Sequence, residues 1–354
     1  MASRLWSSCG GGRHGRGDGS SRRKYLETKI ESCRRDDVPK MRERRRWNIR
    51  RCRDVSVLTG CRMTYTFQHG RSPDGAMTGA SAADDARDPA SSETSPRELS
   101  NPPLQEVLFE FRWALQEGAT ASGTFPVDPY YRIAVGRFFD RASKGFPKYE
   151  TLPTLEMPDQ IAAYVLQHRW ARAEGSPILQ IGPGVLSVNE TRPREYRWPE
   201  FRQTCIEAYQ SLNDSYPVPL LPYLVSFVYI NSIPFDFVRR DALDFIASSL
   251  NGDVIGTRRV LPPSVARSPV HFQSAQAFRC SSPDGVVSIA FESTVVQQAD
   301  KAEKRLMWQL LFQTRGPSVP NGNQQMTGWM NDSHAVLEAI FFNMIKGNME
   351  RVFA

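Results

Sequence analysis

Two short apolar runs, Ile178-Leu179-Gln180-Ile181 and Val185-Leu186-Ser187-Val188, flank Gly182-Pro183-Gly184, and this arrangement constrains the chain more than any other local feature. Proline presets one turn residue and glycine supplies a positive φ beside it, so the segment predicts a β-hairpin. Tyr196, Trp198, Pro199 and Phe201 follow directly, and a proline suited to a first helical turn points to a helix over about 199–212. Its buried stripe is expected to be Phe201, Cys205, Ala208 and Leu212.

Working outward, Leu104 to Trp113 alternates Val107, Phe109, Phe111 and Trp113 against Glu106, Glu110 and Arg112, the signature of a half-buried strand. Val135, Phe138, Phe139 and Ala142 then carry a helical spacing, and strands are expected near 149–154 and over 161–170. Beyond Pro217, Pro219 and Pro222 the same order returns. Tyr223 to Ile230 is nearly continuous in apolar residues and reads as a central strand covered on both faces. Leu243, Ile246, Ala247 and Leu250 form a helix stripe, closed by Asn251-Gly252. Strands follow over 271–280, 286–292 and 306–312, and Asp332 or Ser333 is placed to cap a final helix carrying Leu337, Ile340, Phe341, Met344 and Ile345.

The expectation is therefore an α+β fold of two similar halves, 101–217 and 218–354. Each is a mostly antiparallel sheet gripping helices, in the order strand, helix, three or four strands, helix. Residue identities do not repeat between the halves, so the recurrence is one of pattern.

Charge separates the chain in another way. From Met1 to Arg62 there are 18 Lys and Arg against 7 Asp and Glu, so a net +7 for the whole leaves −4 for the remainder. This leader holds Cys9, Cys33, Cys52 and Cys61, and only Cys205 and Cys280 lie beyond it, which argues for a reducing compartment rather than a disulfide framework. Its Gly, Ser and Arg-rich composition predicts disorder over 1–62, with a polar linker to residue 100. Three readings of the leader stand: a basic arm for phosphate backbones, an organelle transit peptide, or translated upstream sequence with a natural start at Met63 or Met77. No apolar run is long enough for a membrane span, and the expected location is the cytoplasm.

The chain from 101 to 354 also resembles a sporadically distributed prokaryotic family of conserved hypothetical proteins. The residues carrying the likeness are Asn101-Pro102-Pro103-Leu104-Gln105-Glu106-Val107, the hairpin from Leu179 to Asn189, the Tyr196-Trp198-Phe201 trio, Tyr229-Ile230-Asn231, and a closing segment with His334 and Phe341 to Phe353. Phe342-Asn343-Met344-Ile345-Lys346 departs from the family pattern, which is more acidic there. The resemblance implies no reaction, cofactor or catalytic residue, and it implies a protein without the leader.

No phosphate loop, dinucleotide fingerprint, HExxH or nucleophile elbow occurs, so no cofactor or metal is expected. His168, His271 and His334 stand far apart in sequence and read as strand or helix residues. His334, beside Asp332 and Ser333, allows a general base held by a carboxylate, against the plainer account of a helix-capping box. Arg194, Arg197 and Arg202 interleave with Tyr196 and Trp198, a mixture suited to phosphate and base stacking. Glu190, Glu195, Glu200 and Glu207 run through the same stretch and favour a salt-bridged surface. The leading expectation is a binding or interaction module with an unidentified protein partner or a second copy, and the rival is a nucleic-acid-binding protein. An enzyme with a dispersed site is the third.

Overall fold

The computed structural model describes residues 99–120, 123–254, 260–266, 268–298 and 301–354. The expected leader and most of the linker lie outside the described residues.

The fold is α+β. Its strands are β1 (Leu104–Trp113), β2 (Gln116–Thr120), β3 (Gly123–Val127), β4 (Lys148–Thr151), β5 (His168–Ala171), β6 (Ile178–Gly182), β7 (Val185–Glu190), β8 (Pro222–Pro234), β9 (Gln273–Ser281), β10 (Asp284–Gln298) and β11 (Lys301–Arg315). Its helices are α1 (Tyr131–Ala142), α2 (Trp198–Asn213), α3 (Ala242–Ser249), α4 (Asn323–Ile345) and α5 (Asn348–Phe353). Nine strands form one sheet in the order β4-β5-β6-β7-β1-β8-β11-β10-β9, while β2 and β3 make a separate hairpin. Every described strand pairing is antiparallel.

The two halves meet at β1 and β8, whose ladder runs from Leu104 opposite Asn231 to Trp113 opposite Pro222. Outward from that seam, β7 and β11 take corresponding places, then β6 and β10, then β5 and β9. The two halves thus share one sheet. The hairpin that organises the first half forms as its residues predict: Pro183 and Gly184 turn between β6 and β7, and Gly184 adopts φ +80°.

Register makes the two faces of the sheet chemically distinct. One row of directly opposed residues crosses all nine strands as Tyr149, Trp170, Leu179, Val188, Phe109, Phe227, Phe312, Val287 and Phe278. The helices pack on this face: Phe138 of α1 meets Trp170, Trp198 and Phe201 of α2 meet Phe227, and Trp329 of α4 meets Phe312. Ile246 of α3 lies in the same buried cluster. With seven of the row's nine side chains buried, the apolar layer between sheet and helices is the main source of stability.

The adjacent row, on the opposite face, reads Glu150, Arg169, Gln180, Ser187, Glu110, Ser226, Gln313, Val286 and Arg279. All but Val286 are polar. The alternation of β1 is the local seed of this division, since period-two patterning sends Val107, Phe109, Phe111 and Trp113 to the helices and Glu110 and Arg112 away from them.

Several expectations need correction. The strand expected over 161–170 is only β5, because Tyr164 takes φ +61° and its N–H donates to the Pro183 carbonyl, which sends 161–167 through turns. The loop expected before α1 contains the β2–β3 hairpin. In α1 the buried face is Tyr131, Ala134, Phe138 and Ala142, with Phe139 at the margin against Tyr149. In α3 Phe245 and Ile246 point inward and Ala247 is exposed. Asp332 and Ser333 do not cap α4, which starts at Asn323 and carries both in its middle. The α2 stripe of Phe201, Cys205, Ala208 and Leu212 is buried as its spacing predicts. No described helix is long and apolar enough to cross a membrane.

Candidate functional site

The candidate residues divide between two places. Tyr196, Trp198, Arg202 and His334 come together where α2, α4 and β8 meet, joined there by Tyr229. The Trp198 indole stacks on the His334 imidazole with centroids 3.9 Å apart and planes at 17°. His334 Nδ1 lies 2.7 Å from the Tyr229 hydroxyl, which lies 2.8 Å from the Tyr196 hydroxyl. His334 Nε2 faces the Glu338 carboxylate one helical turn on, at 4.0 Å. In the arrangement that leaves an Nε2–H for Glu338, Tyr196 donates to Tyr229 and Tyr229 donates to Nδ1. Arg202 of α2 donates to the Asn331 side-chain oxygen of α4 at 2.7 Å.

Why the chain assembles this cluster is visible locally. Pro199 in the first turn of α2 fixes the helix start, so Trp198 and Arg202 project on one side four residues apart. His334 and Glu338 share a face of α4 for the same reason. Tyr229 comes from β8 on the helix-bearing face, where its register neighbours are Val107 and Leu310.

Burial governs the electrostatics. Desolvation, and then the nearby Arg202 guanidinium, push His334 down from 6.5 to about 4, so its imidazole is neutral at physiological pH. Desolvation drives the Tyr196 and Tyr229 phenols upward, and both stay protonated. A neutral imidazole stacked on one face, hydrogen-bonded at Nδ1 and only 15% exposed is a packed bridge between elements. Asp332, the carboxylate expected to hold His334, is exposed on α4, and Glu338 takes the place facing the ring.

Arg194 and Arg197 are not part of this cluster. Arg197 is exposed and donates to the Tyr196 carbonyl at 3.0 Å. Arg194, also exposed, lines a cleft with Pro102, Ser232, Arg305 and Phe353. In the same stretch Arg192 pairs with Glu195. The other two histidines among the described residues also meet hydroxyls, His168 with Tyr149 at 2.8 Å and His271 with Ser293 at 2.8 Å.

The second place is the opposite face of the sheet, helix-free among the described residues, which no sequence motif marked. Arg169 donates to Glu150 at 2.8 Å, Arg112 to Glu110 at 2.8 Å, and Asn189 to Glu106 at 2.5 Å. Gln180, Ser187, Glu110 and Ser226 are buried at its centre, whereas Gln309 and Gln313 of β11 are half-buried. Compared with known proteins, the chain matches no protein-family model and no curated protein.

Proposed function

We propose that residues 101–354 form a cytoplasmic binding module that meets a polypeptide partner of mixed charge on the helix-free face of the sheet. The observation that carries this reading is the row from Glu150 to Arg279, polar at eight of nine positions across the whole width of the sheet. This row does not repeat the apolar pattern of the row beneath the helices, and the next row on its face, Lys148, Ala171, Ile178, Asn189, Leu108, Val228, Leu311, Ser288 and Ala277, mixes polar and apolar residues. Two carboxylates, Glu150 and Glu110, balance two guanidiniums, Arg169 and Arg279. That balance favours polypeptide over nucleic acid, whose phosphates call for a cationic excess.

The His334 cluster supports the reading from the other side of the sheet. Its titratable groups are occupied with one another, and they tie α2, β8 and α4 into one rigid backing for the face. The kinship suggested by the sequence motifs belongs to the same proposal and adds no chemistry to it.

Gln309→Lys puts a cation on β11 at the half-buried part of the face, and Ala339→Lys puts one on the exposed side of α4. In size-exclusion profiles of native extract, the wild type and Ala339→Lys are expected to elute as a complex and Gln309→Lys as the free chain. Identical profiles for the two variants would overturn the proposal.

A further inference from the structure

The two edges of the sheet are built differently. β4 closes one edge with only four residues, Lys148 to Thr151, carrying Lys148 and lying between Pro147 and Pro153. Short length, a lysine and flanking prolines are the devices by which proteins keep an edge strand from pairing with another chain. β9 closes the other edge; Pro283 follows it by two residues as Pro153 follows β4, but β9 is more than twice as long, has no lysine and has no proline directly before it. It runs nine residues, Gln273 to Ser281, in unbroken register with β10. It contains no proline and a single charge, Arg279. Its side chains are exposed on both faces, including Ala275, Ala277 and Arg279 on one and Phe278, at 50%, on the other. No further strand pairs with it among the described residues.

We infer that β9 is a self-association edge, pairing antiparallel with β9 of a second copy about a twofold axis through Ala277. The sequence of the strand argues for a second copy. The register that pairs all nine residues places Ala277 opposite itself, Gln276 opposite Phe278, Ala275 opposite Arg279, Ser274 opposite Cys280 and Gln273 opposite Ser281. The sole charge then faces a small neutral residue, so like charges do not collide. Phe278, left half-exposed at the end of the apolar row, gains the aliphatic part of the partner's Gln276. A twofold contact of this kind is closed, because the β9 edge of each copy is taken up by the other. The two sheets become one, and the ladder satisfies the outward N–H and C=O groups of both strands. This inference does not depend on what binds the helix-free face.

The test uses the full chain. Sedimentation equilibrium is expected to give twice the chain mass for wild type and once for Ala277→Lys, which sets two cations face to face at the axis. Ala277→Cys, in a chain whose Cys9, Cys33, Cys52, Cys61 and Cys280 are replaced by serine, is expected to form a disulfide between the two substituted positions on mild oxidation. Directly opposed residues lie about 4.5–5.5 Å apart between Cα atoms, within disulfide reach. A wild-type chain that sediments at single mass overturns the inference. So does a dimer that survives Ala277→Lys, or a substituted position 277 that cross-links only to a polypeptide of another mass.

Discussion

Lowering the pH from 7 to 4 should remove about 3 kcal/mol of folding stability through His334 alone. The imidazole is held down at about 4 in the folded protein, against 6.5 when free of the structure. Between those values the unfolded chain binds a proton that the folded chain refuses, so stability rises with pH across the window. It is complete above about 6.5 and is lost as the pH falls toward 4. The gap of roughly 2.5 units at about 1.4 kcal/mol each gives the magnitude. The assay is urea unfolding of wild type and His334→Gln over pH 4 to 7. Glutamine keeps an acceptor for the Tyr229 hydroxyl and does not titrate. His168 is also depressed by burial, but it is common to both proteins and cancels in the difference. The wild-type advantage over His334→Gln should shrink by about 3 kcal/mol from pH 7 to pH 4. An advantage constant across that range would refute the argument, because it would mean that His334 accepts a proton as readily folded as unfolded.

Two further outcomes follow from the packing. Tyr229→Phe strands the Tyr196 hydroxyl and His334 Nδ1 together, and should cost about 1–3 kcal/mol in chemical denaturation; a loss under roughly 0.5 kcal/mol would deny the bridge. A Cβ at Gly182 would come within 1.8 Å of the Val165 carbonyl oxygen, whereas one at Gly136 in α1 meets nothing within 4 Å. Gly182→Ala should therefore prevent normal folding, while Gly136→Ala should raise stability by about 0.5–1 kcal/mol. Thermal melts of the two variants check this pair, and equal effects would contradict it.

The features legible in the sequence are those set by neighbours along the chain. The β6–β7 hairpin, the alternation of β1 and the α2 stripe each rest on spacings of a few residues, and each forms as read. What escaped the sequence depends on distant partners. Ile161, Tyr164, Val165 and Leu166 look like strand residues, yet a hydrogen bond from Tyr164 to Pro183 bends that segment into turns. The start of α4 carries no side-chain cap, since Gly322 stands at its head, and Asp332 and Ser333 imitate a start ten residues too late. Tyr196, Trp198, Arg202 and His334 were readable as candidates. Their grouping around Tyr229 was not, because Tyr229 sits within the apolar run of β8 and meets His334 only through tertiary packing. One signal was available there, a tyrosine hydroxyl inside the largely apolar run from Tyr223 to Ile230. The polar row had no such signal, because register between strands far apart in the chain decides which Glu, Gln, Ser and Arg stand side by side.

The most direct measurement of the binding-module account is site-specific photo-cross-linking in cells. One photoreactive residue replaces Gln309 on β11 of the helix-free face, and another replaces Ala339 on the outer side of α4. The account predicts a discrete adduct from position 309 and none from position 339. An adduct from position 339 alone, or from neither, would contradict it.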